Sequence, residues 1–87
     1  MKEENTMRKE VIMPKVGLDM EEGIIQEWLK KVGDHITAGE PLMSIETDKA
    51  ITEIEAAVTG TLVEIVVPEG EEVEIATVVA YIDTDEE

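Results

Sequence analysis

The chain has no cysteine and no phenylalanine, one tryptophan and one tyrosine, and beyond Lys31 it carries one lysine and no arginine. Without cysteine, neither a disulfide framework nor a thiolate metal site can hold the fold together, and nothing requires an oxidising compartment. A reducing bacterial cytoplasm or mitochondrial matrix is compatible. The scarcity of aromatics leaves the core to Val, Ile, Leu, Ala and Met, a β-branched mixture that favours strands. No apolar run approaches the length of a membrane span, and the opening "MKEENTMRKE" lacks the apolar stretch of a secretory signal. Seven basic residues face 22 acidic ones, for a formal net charge of -15. Such a field repels nucleic acid and anionic membranes, so neither is an expected partner. It gives a solvated, self-repelling surface and can steer the chain toward a basic protein surface.

Eighty-seven residues suffice for one small domain and one core. Residues 11–83 hold the apolar pattern and are expected to form that domain, as a monomer when isolated. The charged segment 1–10 is expected to be mobile, and residues 84–87 to form an acidic tail or the start of a linker.

A repeat organises the domain. A slide of 37 residues lays "GIIQEWLKKVGDHITAGEPLMSIETD", beginning at Gly23, over "GTLVEIVVPEGEEVEIATVVAYIDTD", beginning at Gly60, without a gap. Gly33 meets Gly70, Ile45 meets Ile82, Thr47 meets Thr84 and Asp48 meets Asp85. Apolar positions follow: Ile25 with Leu62, Trp28 with Ile65, Ile36 with Val73, Leu42 with Val79. Each copy reads as a strand opening at glycine, a polar turn, and a second strand rich in Val and Ile. No sustained helical stripe is present. Pro14, Pro41 and Pro68 fall where strand edges or turns are expected. The expected fold is therefore all-β, a flattened barrel or sandwich of two small antiparallel sheets related by an approximate two-fold axis.

Symmetry also locates the lone lysine of the second half. Lys49 lies in "SIETDKAITE", where the first copy runs on through a turn, Thr47 to Ala50, into a further strand. A lysine at such a tip is projected into solvent. Use as a nucleophile or general base needs a depressed pKa, from burial or a cationic neighbour. Glu46 and Asp48 instead favour the ammonium form. Acylation by another enzyme requires only that the lysine be exposed, rigidly held and distinguishable, and all three conditions are expected here, while composition and spacing alone point first to an ordinary solvated lysine in a turn.

From Met13 to Ile82 the sequence closely resembles the lipoyl domain of the dihydrolipoyl acyltransferase component of 2-oxo acid dehydrogenase complexes. The resemblance rests on "GD" followed by "GEPL", then "IETDKA", then a glycine-opened strand and "EG" before the last strand. It implies a barrel-sandwich fold with lipoate joined by an amide to Lys49 on an exposed hairpin turn. Glu46, Thr47, Asp48 and Ala50 would then be read by the lipoate-attaching enzyme and by partners. Those partners are a thiamine-diphosphate-dependent 2-oxo acid decarboxylase, the acyltransferase core and a dihydrolipoyl dehydrogenase. The domain would itself be a carrier and not an enzyme. The opening "MPKVGLDMEEG" looks more like acetyl-transferring members, serving pyruvate or acetoin, than like the branched-chain or 2-oxoglutarate members. Ala76 departs from the family, which commonly has glycine at the turn matching Gly39.

Rival readings are a biotinyl domain, which usually flanks its lysine with methionines, the lipoyl carrier of glycine cleavage, and an unmodified interaction barrel. Trp28 aligns within a strand and is expected in the core. His35, the only histidine, sits in a polar turn without a second ligand, so no metal site is expected. No pair of carboxylates is identifiable as acid and base.

Overall fold

The computed structural model describes residues 6–17, 20–47 and 50–85. Eight strands form: β1 (Thr6–Ile12), β2 (Glu22–Trp28), β3 (His35–Ile36), β4 (Pro41–Glu46), β5 (Ile51–Glu55), β6 (Gly60–Ile65), β7 (Glu72–Glu74) and β8 (Val78–Asp85). They make two four-stranded antiparallel sheets, ordered β1-β8-β6-β3 and β5-β4-β2-β7. These orders are images of each other when β1 is exchanged with β5, β2 with β6, β3 with β7 and β4 with β8. The two-fold expected from the repeat is thus present in the pairing itself.

It extends to irregularities. The β2–β4 register shifts between Ile25 and Glu27, and the β6–β8 register shifts between Leu62 and Glu64, its equivalent place. A second shift falls between Pro41 and Met43 in β4–β5 and, equivalently, opposite Val79 in β1–β8. A bulge places one extra residue on a strand and re-aims its neighbours. Here it lets successive residues, Leu42 and Met43, both be buried, which simple alternation forbids.

Two core clusters result, and five of the six members of each have a counterpart in the other, Val67 and Ile36 being the exceptions. One contains Met13, Ile25, Met43, Ile45, Val67 and Val79. The other contains Ile36, Leu42, Ala56, Leu62, Ala80 and Ile82. Met13 and Met43 occupy the positions of Ala56 and Ala80, so volume is distributed unequally between them. Half-buried Trp28 packs against both clusters and donates its indole N–H to the carbonyl of Val67 at 2.9 Å. The expected core role of Trp28 is met, and its polar edge is satisfied as a partly buried indole requires.

The folded region is wider than residues 11–83. β1 starts at Thr6 and pairs with β8 out to Asp85, so residues 6–10 and 84–85 are strand where mobile ends were expected. β1 lies at the edge of its sheet, where charged residues block further pairing. The Arg8 guanidinium reaches Asp83 at 3.4 Å and lies over the Tyr81 ring, 5.6 Å from its centroid. Residues 1–5 and 86–87 lie outside the described residues.

Ala76 adopts φ 71°, close to the left-handed geometry of its counterpart Gly39 at φ 95°. Both amides close equivalent turns, Gly39 onto Ala56 at 2.9 Å and Ala76 onto Met13 at 2.8 Å. The turn is retained, and the side chain bears strain. A Cβ in left-handed conformation costs about 1–2 kcal/mol, while glycine's chain entropy costs roughly 0.5–1 kcal/mol. Ala76→Gly is therefore expected to raise stability by up to about 1 kcal/mol, measured as a denaturant midpoint shift at unchanged m-value. Gly60 is the opposite case. A Cβ there would overlap the Asp83 carbonyl oxygen and lie 2.9 Å from Thr84 Cα, in backbone that cannot yield. Gly60→Ala should lower stability by roughly 2 kcal/mol or more, visible in the same titration.

Candidate functional site

Strands β4 and β5 are consecutive and antiparallel, and their last pair is Glu46 with Ile51. Residues 47–50 connect them. Asp48 and Lys49 lie in this connection and outside the described residues; Thr47 and Ala50 mark its two ends. The Thr47 amide donates to the Ala50 carbonyl at 2.9 Å. The Thr47 hydroxyl lies 3.3 Å from that same carbonyl oxygen and 3.4 Å from the Ala50 amide, which donates to it. Of the residues expected at the site, Glu46 and Ala50 are exposed and Thr47 is half-buried. All belong to one hairpin end.

That end is built on a row of paired positions across the second sheet. Glu72 on β7 pairs with Ile24 on β2, Ile24 with Glu46 on β4, and Glu46 with Ile51 on β5. Ile51 is 56% exposed, the second most exposed large apolar side chain described after Val32. Beside the row, Glu22 pairs with Glu74. Several carboxylates therefore gather near the hairpin's end. The Glu22 carboxyl is held above its ordinary range, first by the neighbouring negative charge of Glu72, then by a hydrogen bond with it, with Glu21 and Glu74 adding to the effect. Among the described residues no group of three or more His, Asp and Glu is arranged to hold a metal ion. The row is a charged surface open to solvent.

Met20 and Gly23 complete this end. The Met20 sulfur accepts the Val16 amide at 3.4 Å, and the Met20 amide donates to the Gly17 carbonyl at 3.2 Å. A Cβ on Gly23 would come 3.0 Å from Met20 Cε and 3.7 Å from the Glu46 carbonyl oxygen. The β1–β2 connection is thus seated against the strand end that leads into residues 47–50. Gly23 was visible as a strand opening, but nothing in the sequence pattern marks Met20. His35 lies on β3, paired with Thr61, and is exposed.

Among the described residues of this hairpin end, Glu46, Ala50 and Ile51 are exposed. The end presents a short connection held at both ends, suited to being approached by another protein's active site.

Comparison with known proteins agrees with this geometry. The family model for biotin and lipoyl attachment, described as "Biotin-requiring enzyme", matches residues 9–82. The dihydrolipoyllysine-residue acetyltransferase component of the acetoin cleaving system of Bacillus subtilis (strain 168) is 47% identical over 76 residues, covering 87% of this chain and 19% of that protein. The corresponding component of the pyruvate dehydrogenase complex of Corynebacterium glutamicum is 45% identical over 73 residues, covering 84% and 11%. The chain therefore spans less than a fifth of the length of these relatives. The solution structure of the lipoyl domain of the 2-oxoglutarate dehydrogenase complex from Azotobacter vinelandii superposes with a TM-score of 0.70 at 28% identity, covering 90% of this chain and 98% of that one.

The carboxylate row should leave a signature in stability. Because the folded state raises the pKa of Glu22 above 4.5, its contribution is most favourable below that value and is lost as pH rises through the raised pKa. Glu72→Gln removes the largest cause. The variant should melt at higher temperature than the parent at neutral pH, with the difference fading toward zero well below pH 4.5. Paired melts at the two pH values check this.

Proposed function

The chain belongs to the biotinyl and lipoyl attachment family, and from that premise we propose that Lys49 carries lipoate in amide linkage, as the mobile arm of a 2-oxo acid dehydrogenase complex. The domain is a carrier, and the catalytic domain of the acyltransferase it serves lies elsewhere. One observation carries the assignment of the lysine. Within a chain matched by the family over residues 9–82, the "TDKA" sequence occupies the β4–β5 connection, and Lys49 is the only lysine beyond Lys31.

The residues fit such a group. Attachment forms an amide between Lys49 Nζ and the lipoyl carboxyl carbon as the acyl–phosphate bond of an activated acyl-adenylate breaks and AMP leaves, and the ammonium Nζ gives up two protons, one before the attack and one after it. Access from solvent is what that reaction demands of the carrier, and Glu46, Ala50 and Ile51 are all exposed at the hairpin's end. When bound, lipoate supplies a dithiolane that accepts an acyl group with two electrons and later returns both. Lysine and lipoate together extend roughly 14 Å, counting bonds of about 1.5 Å, so the arm enters a deep active site while the barrel stays outside. Tethering raises its effective concentration at each station. Those stations are a thiamine-dependent decarboxylase, the acyltransferase core and a dihydrolipoyl dehydrogenase. Glu46, Thr47, Asp48 and Ala50 serve recognition and presentation, with no bond-making of their own.

Pyruvate or acetoin is the favoured source of the acyl group, because the similar acetyltransferase components are named for those two systems. The domain would work in the cytoplasm of a bacterium or the mitochondrial matrix of a eukaryote. Biotin is the other cargo suggested by the family description. Asp48 and Ala50, where biotinyl domains usually have methionines, favour lipoate.

The test is the intact mass of the domain after incubation with a lipoate-attaching enzyme, ATP and lipoate. One lipoyl increment is expected on the parent and none on Lys49→Ala. A folded parent that gains no lipoyl group, but gains biotin from a biotin ligase, would transfer the assignment to a biotin carrier.

A further inference from the structure

We propose that the outer edge of β5 is a docking surface for an extended, basic segment of a partner protein, which joins the second sheet as an added antiparallel strand. Docking needs no modification of Lys49, so the two can fail separately, and it brings the partner beside the proposed attachment.

An edge strand offers a row of unpaired N–H and C=O groups, with which a strand from another chain can pair. The sheet edges are β1, β3, β5 and β7. β3 and β7 are two and three residues long, too short to template a strand. β5 covers Ile51–Glu55 and pairs on one side only, with β4. Among the described residues, no main-chain bond outside that ladder engages residues 51–55.

The register fixes which groups of β5 face outward. The Thr47 amide donates to the Ala50 carbonyl, and bonded and non-bonded pairs alternate along an antiparallel ladder. Glu46 with Ile51 and Ser44 with Glu53 are therefore non-bonded pairs, whose β5 members turn their amides and carbonyls away from β4. The Ala56 amide returns to the Glu40 carbonyl at 2.8 Å, so by the same alternation Glu55 faces outward. The side chains of these residues, Ile51, Glu53 and Glu55, are also exposed, while Thr52 and Ile54 between them are half-buried.

Charge selects the occupant. The equivalent positions on β1 are Arg8, Glu10 and Ile12, of mixed sign, with Arg8 already engaged by Asp83 at 3.4 Å. On β5 the charges are of one sign, and Ile51 adds an apolar side chain that is 56% exposed. An antiparallel strand, read from its own N-terminus, meets Glu55, then Glu53, then Ile51, all on one face. Its complement is basic, any residue, basic, any residue, apolar, since opposite charges directly across a pair stabilise it. A second copy of this chain is the wrong occupant. Antiparallel pairing of two β5 edges sets Glu53 against Glu53, and like charges directly opposite destabilise. The net charge of -15 on each copy adds to the repulsion. Ile51 holds the last ladder position before residues 47–50, so a strand laid along β5 ends next to the hairpin's end and holds its owner there.

The probe is a short capped peptide of order Thr-Arg-Thr-Arg-Thr-Val-Thr, titrated into the unmodified domain while amide hydrogen exchange is followed residue by residue. At saturation, exchange at Ile51, Glu53 and Glu55 should slow at least about fivefold, with Thr52 and Ile54, already bonded to β4, unchanged. Glu53→Lys should weaken the apparent affinity about tenfold. Methylating the amide nitrogens of both arginines and the valine removes the peptide's donors and keeps its charge, and should abolish binding and protection together. Equal binding by the methylated peptide overturns the proposal, since a basic chain would then be attracted to an acidic surface without forming a strand. Absence of binding overturns it, as does binding that leaves those amides unprotected. So does protection in the free domain that rises with its concentration, because a second copy would then occupy the edge. Failure of the domain to accept lipoate would overturn the assignment of Lys49 and leave each of these outcomes as decisive as before.

Discussion

Each half of the chain closes the other, through one pair of reciprocal hydrogen-bond sets at the two glycine turns. The Gly33 amide donates to the Leu62 carbonyl and the Gly70 amide to the Ile25 carbonyl, both at 2.7 Å. The return bonds, Leu62 N–H to the Asp34 carbonyl and Ile25 N–H to the Glu71 carbonyl, are both 3.0 Å. These turns need positive φ, 98° at Gly33 and 92° at Gly70, which glycine adopts without steric cost. A turn belonging to one repeat thus completes a strand of the other. Neither repeat could satisfy its backbone or cover its apolar face alone. Residues in β2 and β4 are therefore held in place by chain far from them in sequence, and so is the hairpin end they build.

Symmetry of backbone does not produce symmetry of use. The exchange of β1 with β5 sets Arg8, which pairs with Asp83, against Ile51, which pairs with Glu46. At the first position the chain spreads a basic group over Tyr81 and toward a carboxylate. At the second it exposes an apolar side chain next to residues 47–50. The ion pairs Arg8 with Asp83 and Lys30 with Glu40 lie on other elements than the Glu72, Ile24, Glu46 and Ile51 row. Negative charge concentrates along that row because no described cation faces it there. It is uncompensated enough for Glu22 to hold its proton more tightly than an isolated carboxyl does.

The repeat was legible because its constraints are local. Glycines that must take positive φ, and Val, Ile and Leu that must face inward, recur at fixed spacing, so Gly33 with Gly70 and Ile45 with Ile82 announced both the fold and its axis. Family resemblance, on "IETDKA", supplied the assignment of Lys49, which spacing alone left as an exposed lysine. Other features were hidden because their causes are non-local. β1 looks like a charged tail until its partner β8 is known, for an edge strand needs polar residues as much as a loop does. The slide of 37 residues fails for β1, which matches β5 at 43, Val11 against Ile54. The cause is a longer connection from Met13 to Gly23 than from Ala56 to Gly60. Met20 lies in that extra length and has no counterpart to reveal it.

Rigid support and an unenclosed end are the two properties a carrier must combine, and they oppose each other. Ladder bonds and burial hold β4 firmly through Met43 and Ile45, both inaccessible to solvent. Protection stops within a few residues, since Glu46 and Ala50 are exposed. For the proposed attachment at Lys49, a strand that frayed at this boundary would be poorly presented, and one that stayed buried past it could not be reached. The transition falls at the last ladder pair, Glu46 with Ile51, and Thr47 is half-buried beside it. With lipoate attached as proposed, mobility would be delegated to that group, whose rotatable bonds would provide reach without any motion of the fold.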